Sequence, residues 1–387
     1  MQITGGRIMA DIKTHLRELS VATTIGLLNT GVQFKRQDLY EPYKFFLYAK
    51  QVITTDLSSA KNLCTQPLFT GELKDIIDNG YNLGKKIFEN PHFSFSRGDQ
   101  IQWLGNDTRK DDPVDITVGK YKFSLKEESF ILENMGLYKL LNCYTGSNYK
   151  KRHIFSDYAR IEYSKWFEVT WNEMLKYLTN HENVWRFSNL EKHKEAVISV
   201  DTNSVTLEFI HHKKCVEKRT LPKICPLSVF EKKTNVKIRE EVFAKFINQN
   251  MTKNKFYNDA KKKCAIAATE GVVKELNDNL DYHAGLPRFL RIHSFEYYYA
   301  KTTATGVEIY KVPSLQAFGN EIIIESIVSS VPDTQANILT TIKNTTTGKT
   351  LVLRNECRFS HGQFNGTPEA KMYYENKGSL LVIYEAV

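Results

Sequence analysis

The sequence has no apolar run long enough to cross a bilayer, so a membrane-spanning helix is not expected. It has no CxxC pair either. The six cysteines, Cys64, Cys143, Cys215, Cys225, Cys264 and Cys357, are widely scattered, a pattern that suits reduced thiols better than a disulfide framework. His211, His212, Cys215 and Cys225 are zinc-ligand types, but their spacing matches no finger or ribbon. Nothing resembles a Walker loop or a dinucleotide fingerprint, which argues against phosphate-loop and nicotinamide chemistry. There is no repeat of regular period and no low-complexity tract. The first twenty residues scatter charges and lack the apolar centre and small-residue cleavage site of a secretory signal, so a cytoplasmic location is expected.

Acidic residues are also in deficit. Against 53 Lys and Arg stand 44 Asp and Glu, a formal charge of +9 with a pI near 9.0. Such a balance favours an anionic partner, because lysines and arginines on phosphates release condensed counterions. At 387 residues the chain exceeds the usual single-core length, and a core with one or two further modules is expected. Helical spacing of apolar residues covers Ile12 to Leu28, Tyr43 to Val52 and Glu72 to Phe88. Short extended runs follow in IQWLG, VDITV and YKFSLK. Helices are then expected over Glu127 to Leu141 and Tyr163 to Leu178.

Three regions result: 1–185, a helical segment plus an α/β core; 186–285, a basic mixed region; and 286–387, a β-rich module. In the middle region AVISV and VTLEFI read as strands, and strongly basic helical sequence is expected after them. Its Lys213, Lys214, Lys261 and Lys262 are candidates for contact with a nucleic-acid backbone, a solvated face being the plain alternative.

The informative stretch is DDPVDITVGKYKFSLKEESFILEN, residues 111–134. With Gly119 and Lys120 as a two-residue turn, Val118 faces Tyr121, Ile116 faces Phe123 and Val114 faces Leu125. That side is wholly apolar. The other side carries Asp115, Thr117, Lys122, Ser124 and Lys126, with Asp115 opposite Ser124 and Lys126 diagonal to it. An aspartate and a lysine on one small surface are what metal-assisted phosphodiester hydrolysis needs. The carboxylate holds Mg²⁺, and the ammonium orients the attacking water or stabilises charge on the phosphate.

At these residues the chain resembles the PD-(D/E)XK nuclease superfamily, which contains many type II restriction endonucleases. Its signature is an aspartate near a strand start and a second strand ending acid-x-lysine. Asp115 in Pro113-Val114-Asp115 matches the first element and Ser124-Leu125-Lys126 occupies the second. The resemblance implies a restriction-endonuclease-like α/β core, a mixed central sheet flanked by helices, with a helix beginning just after Lys126. It also implies a Mg²⁺-dependent endonuclease acting on double-stranded DNA, with a homodimer as the form that cuts both strands. Asp115, Ser124 and Lys126 would occupy the catalytic positions. Ser124 stands where the family has Glu or Asp, so a second metal ligand beside Asp115 must come from elsewhere, with Asp112, Glu72 and Glu128 as candidates.

The segment 354–371 is dense in functional side chains. Arg358, Gln363 and Asn365 are types that pair with base edges, and Arg354 and Lys371 could contact phosphates. The alternative to a nuclease is a nucleic-acid-binding protein without catalysis, in which the hairpin is scaffold. An assembly protein that binds no nucleic acid is a third reading.

Overall fold

The structure, a computed structural model, describes residues 5–54, 57–65, 73–104, 113–127, 134–145, 157–188, 195–235, 242–278, 282–304, 306–331, 336–358, 369–374 and 379–387. Along the chain come helices α1 (Gly5–Thr30), α2 (Pro42–Val52), α3 (Leu57–Cys64) and α4 (Lys74–Glu89). Strands β1 (Ile101–Trp103), β2 (Ile116–Val118), β3 (Tyr121–Glu127) and β4 (Asn134–Gly136) follow, then α5 (Leu137–Thr145) and α6 (Arg160–Thr179). Next are β5 (Val184–Ser188), β6 (Glu195–Val200), β7 (Ser204–His211) and β8 (Lys214–Pro222). Helices α7 (Leu227–Phe230), α8 (Ala244–Asn250), α9 (Lys255–Asp278) and α10 (Tyr282–Phe289) precede the final strands. These are β9 (Tyr297–Thr303), β10 (Gly306–Val312), β11 (Ile322–Ser330), β12 (Ala336–Asn344), β13 (Thr350–Arg358), β14 (Glu369–Tyr374) and β15 (Glu385–Ala386). Among the described residues no helix is long and apolar enough to cross a membrane.

Two compact units divide the chain along lines other than 1–185, 186–285 and 286–387. The first joins Met1–Phe130, Leu290–Asn320 and Leu380–Val387; the second holds Ile131–Phe289 and Glu321–Ser379. The cause is strand pairing. β3 runs parallel to β9, from Phe123↔Tyr298 to Glu127↔Thr302, so the segment Ile131–Phe289 falls within the crossover that parallel neighbours require, while Glu321–Ser379 falls between β10 and its partner β15. The first unit's sheet has the order β1-β2-β3-β9-β10-β15 and is mixed, with every other neighbouring pair antiparallel.

Helix α1 packs on β1, β2 and α4, and its residues from Leu16 to Leu27 are all buried. Gly80 lets α4 approach: a Cβ there would lie 2.6 Å from the Arg17 carbonyl oxygen. The apolar side of the hairpin faces this core, with Ile116, Val118, Phe123 and Leu125 fully buried. Phe93 closes it, with ring contacts to Tyr121, Phe123 and Tyr298.

The second unit contains a five-stranded antiparallel sheet, β11-β12-β13-β14-β4, and a four-stranded one, β5-β6-β7-β8. Helices α6 and α9 pack together, and α5 packs on α10. All six cysteines are free thiols, and only Cys215 is exposed.

Three expectations are corrected. The helix expected from Glu127 begins at Leu137, because β3 keeps pairing with β9 as far as Glu127 and β4 occupies 134–136. The basic stretch after VTLEFI is first a strand: Lys214 to Pro222 pair with β7 through a two-residue turn, and helix appears only later. The β-rich C-terminal stretch is split between two sheets, and SLLVIYEA supplies a 3-10 turn and the two-residue β15 rather than a full strand.

Candidate active site

The hairpin register is the expected one where the strands pair: Ile116↔Phe123, Thr117↔Lys122 and Val118↔Tyr121. Gly119 opens the turn at φ +55°. No other residue would fit comfortably, since a Cβ there would also meet the Asp99 carboxyl group at 2.7 Å.

Regular pairing does not extend to the expected Asp115–Ser124 and Val114–Leu125 steps. It stops at Ile116, where Asp115 bends away just after Pro113, a residue with no N–H to give a ladder. The Asp115 amide donates to the Phe123 carbonyl at 2.8 Å. Its carboxylate then takes up the amide that the ladder leaves free: Leu125 N–H donates to Asp115 Oδ2 at 2.6 Å. Ser124 Oγ donates to the same oxygen at 3.5 Å, and Lys126 Nζ lies 3.5 Å from it. Asp115, Ser124 and Lys126, expected to share a surface, are thus in direct contact. All three contacts end on Oδ2, so Oδ1 is the oxygen best placed to receive a ligand.

A second acid, which sequence reasoning missed, feels the charges of this site. Glu18, on α1, is 4% exposed and accepts a hydrogen bond from the Trp103 indole N–H at 3.3 Å. Burial pushes its carboxyl up to about 8, and the charge of Asp115 pushes the same way; Lys126, the indole bond and Arg17 act against them. Glu18 therefore responds to both the Asp115 carboxylate and the Lys126 ammonium. A signal for Glu18 exists in the sequence: positions 18, 21, 22 and 25 form one stripe of α1, and Glu18 is the acid on a stripe otherwise filled by Val21, Ala22 and Ile25.

Strand β9 completes the polar surface. Register places Tyr299 beside Ser124 and Lys301 beside Lys126. Lys301 is buried and paired with Glu308 at 3.0 Å. The hydroxyl of Tyr299 is buried and has no hydrogen-bond partner among the described residues. Burial first, and neighbouring charges including Asp115, hold the hydroxyls of Tyr297 and Tyr299 well above the ordinary phenol range.

For a divalent cation the donor set would be Glu18 and Asp115 with the Ser124 hydroxyl. Among the described residues no group of three or more His, Cys, Asp or Glu side chains is gathered to hold a metal. Carboxyl and hydroxyl oxygens are the donor type that Mg²⁺ prefers, and that ion keeps several of its waters. Asp112, Glu72 and Glu128 lie outside the described residues.

The expected nucleic-acid contacts lie in the second unit. Lys213 and Lys214 are exposed, whereas Lys261 and Lys262 on α9 are half-buried, and burial lowers the Lys261 ammonium. Arg354 lies over the Tyr373 ring, 5.2 Å from its centre, so its guanidinium is engaged within the sheet. Arg358 and Lys371 stand in β13 and β14, but their side chains, like Gln363 and Asn365 as a whole, lie outside the described residues.

No family model, curated protein or solved structure matches the chain.

Proposed function

We propose that the chain is a Mg²⁺-dependent endonuclease that hydrolyses phosphodiester bonds of double-stranded DNA, with a restriction-endonuclease-like core in its first unit. The observation that carries this reading is the contact of Lys126 with Asp115 at the strand mouth. A bound Mg²⁺ would polarise the phosphate and acidify a coordinated water. Asp115, through Oδ1, and Glu18 would hold the cation. Trp103 fixes the Glu18 carboxylate, and the Leu125 amide fixes that of Asp115. Lys126 orients the attacking water and faces the charge that grows on the phosphate oxygens. Ser124, in the position of the family's second acid, contributes a hydroxyl and no charge. One site per chain implies that a homodimer cuts both strands.

The test is incubation of the wild type, Asp115→Asn, Lys126→Ala and Glu18→Gln proteins with supercoiled and linear DNA in Mg²⁺ or EDTA. Cleavage is expected only with metal, and to fall about 10²–10³-fold in the first two variants. Undiminished cutting by both would sink the assignment. A non-catalytic nucleic-acid-binding protein is the second reading, favoured by the serine at 124; binding without cutting on every substrate would select it.

A further inference from the structure

The hairpin joining β7 to β8 ends in a turn made by His212 and Lys213, both in left-handed backbone at φ +48° and +63°. Two positive φ values make this a type I′ turn, for which Asn-Gly is the relaxed sequence. A histidine and a lysine hold it under strain instead, as residues do where their side chains have a use. His211, His212, Lys213 and Lys214 are consecutive and all exposed. Just behind them the register steps from Phe209↔Glu217 to Ile210↔Cys215, leaving Val216 as an extra residue, 53% exposed. Such a bulge sharpens the twist and re-aims the end of a ribbon.

Nearby carboxylates are already engaged. Glu208 pairs with Lys218 at 2.9 Å and Glu217 with Arg219 at 3.0 Å. Among the described residues no carboxylate pairs with Lys213 or Lys214. Lysines on an edge strand block unwanted pairing, which accounts for Lys218 in mid-strand. That reason can cover Lys214, the first residue of β8, but not Lys213 in the turn, where the hairpin presents no ladder to block.

We infer that this ribbon tip is a contact for duplex DNA, inserted at a groove with Lys213 and Lys214 against phosphates and His211 and His212 toward the groove floor. A two-stranded ribbon fits the major groove, about 12 Å wide. Single strands are held instead by stacking on exposed Phe, Tyr or Trp rings, and residues 210–217 contain none. The inference rests on the DNA reading above but on residues that take no part in its reaction centre.

The experiment measures binding of duplex and single-stranded oligonucleotides by the full chain carrying Lys126→Ala, in EDTA, between about 50 and 200 mM salt. Two variants are compared with it. The pair His212→Asn, Lys213→Gly installs the relaxed turn, so the hairpin folds at least as well while one ammonium is lost. Adding Lys214→Gln removes the second. The log–log salt slope for duplex is expected to fall by about 0.9 per lysine, with an unchanged melting temperature. An unchanged slope in the triple variant, no retention of duplex by the parent, or tighter binding of single strands would each overturn the inference. Failure of the nuclease reading shows separately, as absence of cutting in Mg²⁺ by the chain with Lys126 intact.

Discussion

Glu18 ties the folding of this protein to pH. Its carboxyl is raised from 4.5 to about 8 by burial and by Asp115, so between those values the folded chain holds a proton that the unfolded chain has released. The stability this confers is complete below about pH 4.5 and is lost as the pH climbs toward 8, with a slope of at most about 1.4 kcal/mol per pH unit. Urea unfolding at several pH values should show this fall in the wild type, flattened in Glu18→Gln, which keeps the shape and cannot ionise. An equal slope in both proteins would mean that Glu18 ionises freely. Tyr299 offers a second measurement at this scale. Its buried hydroxyl lacks a hydrogen bond, so Tyr299→Phe should leave the melting temperature unchanged or raise it, by up to about 1 kcal/mol in stability. A loss of cleavage in that stable variant would place the hydroxyl against the substrate.

Among the elements, the hairpin was the most legible. Alternation placed Ile116, Phe123 and Leu125 on the core side, and the Gly119 turn fixed which residues pair. What alternation missed is the end of the ladder: it put Lys126 diagonally across from Asp115, whereas the bend after Pro113 brings the two side chains to 3.5 Å. Gly119→Ala should cost about 1–2 kcal/mol, since alanine is strained at φ +55° and its Cβ meets Asp99; a melt within error of the wild type would refute that. Gly80→Ala acts between helices. Its Cβ would press on the Arg17 carbonyl, one residue from Glu18, so stability should drop, as thermal melts would show, and under the proposed function cleavage should drop with it.

For the whole molecule, the proposed binding of DNA would draw on a formal charge of +9. Retention on a DNA column should weaken steeply as salt rises, whatever the substrate sequence. Retention that ignores salt would speak for an assembly protein instead. The chain's division into units follows from two pairings, β3 with β9 and β10 with β15, between which residues 131–289 and 321–379 are inserted. Composition and local period carry no trace of either pairing, so a boundary near 185 was the natural place to cut the sequence.

By itself the sequence determined the N-terminal helices, the hairpin with its two faces, the free thiols, the basic charge and the shared surface of Asp115 and Lys126. These depend on contacts within a few residues or on simple counts. Only the tertiary structure decided that Glu18 joins them, that β9 supplies Tyr299 and Lys301 to the same face, and that the C-terminal strands serve two sheets. The reason is separation: Glu18 and Trp103 lie 85 residues apart, and strand order over such distances is set by burial of whole faces rather than by any local pattern.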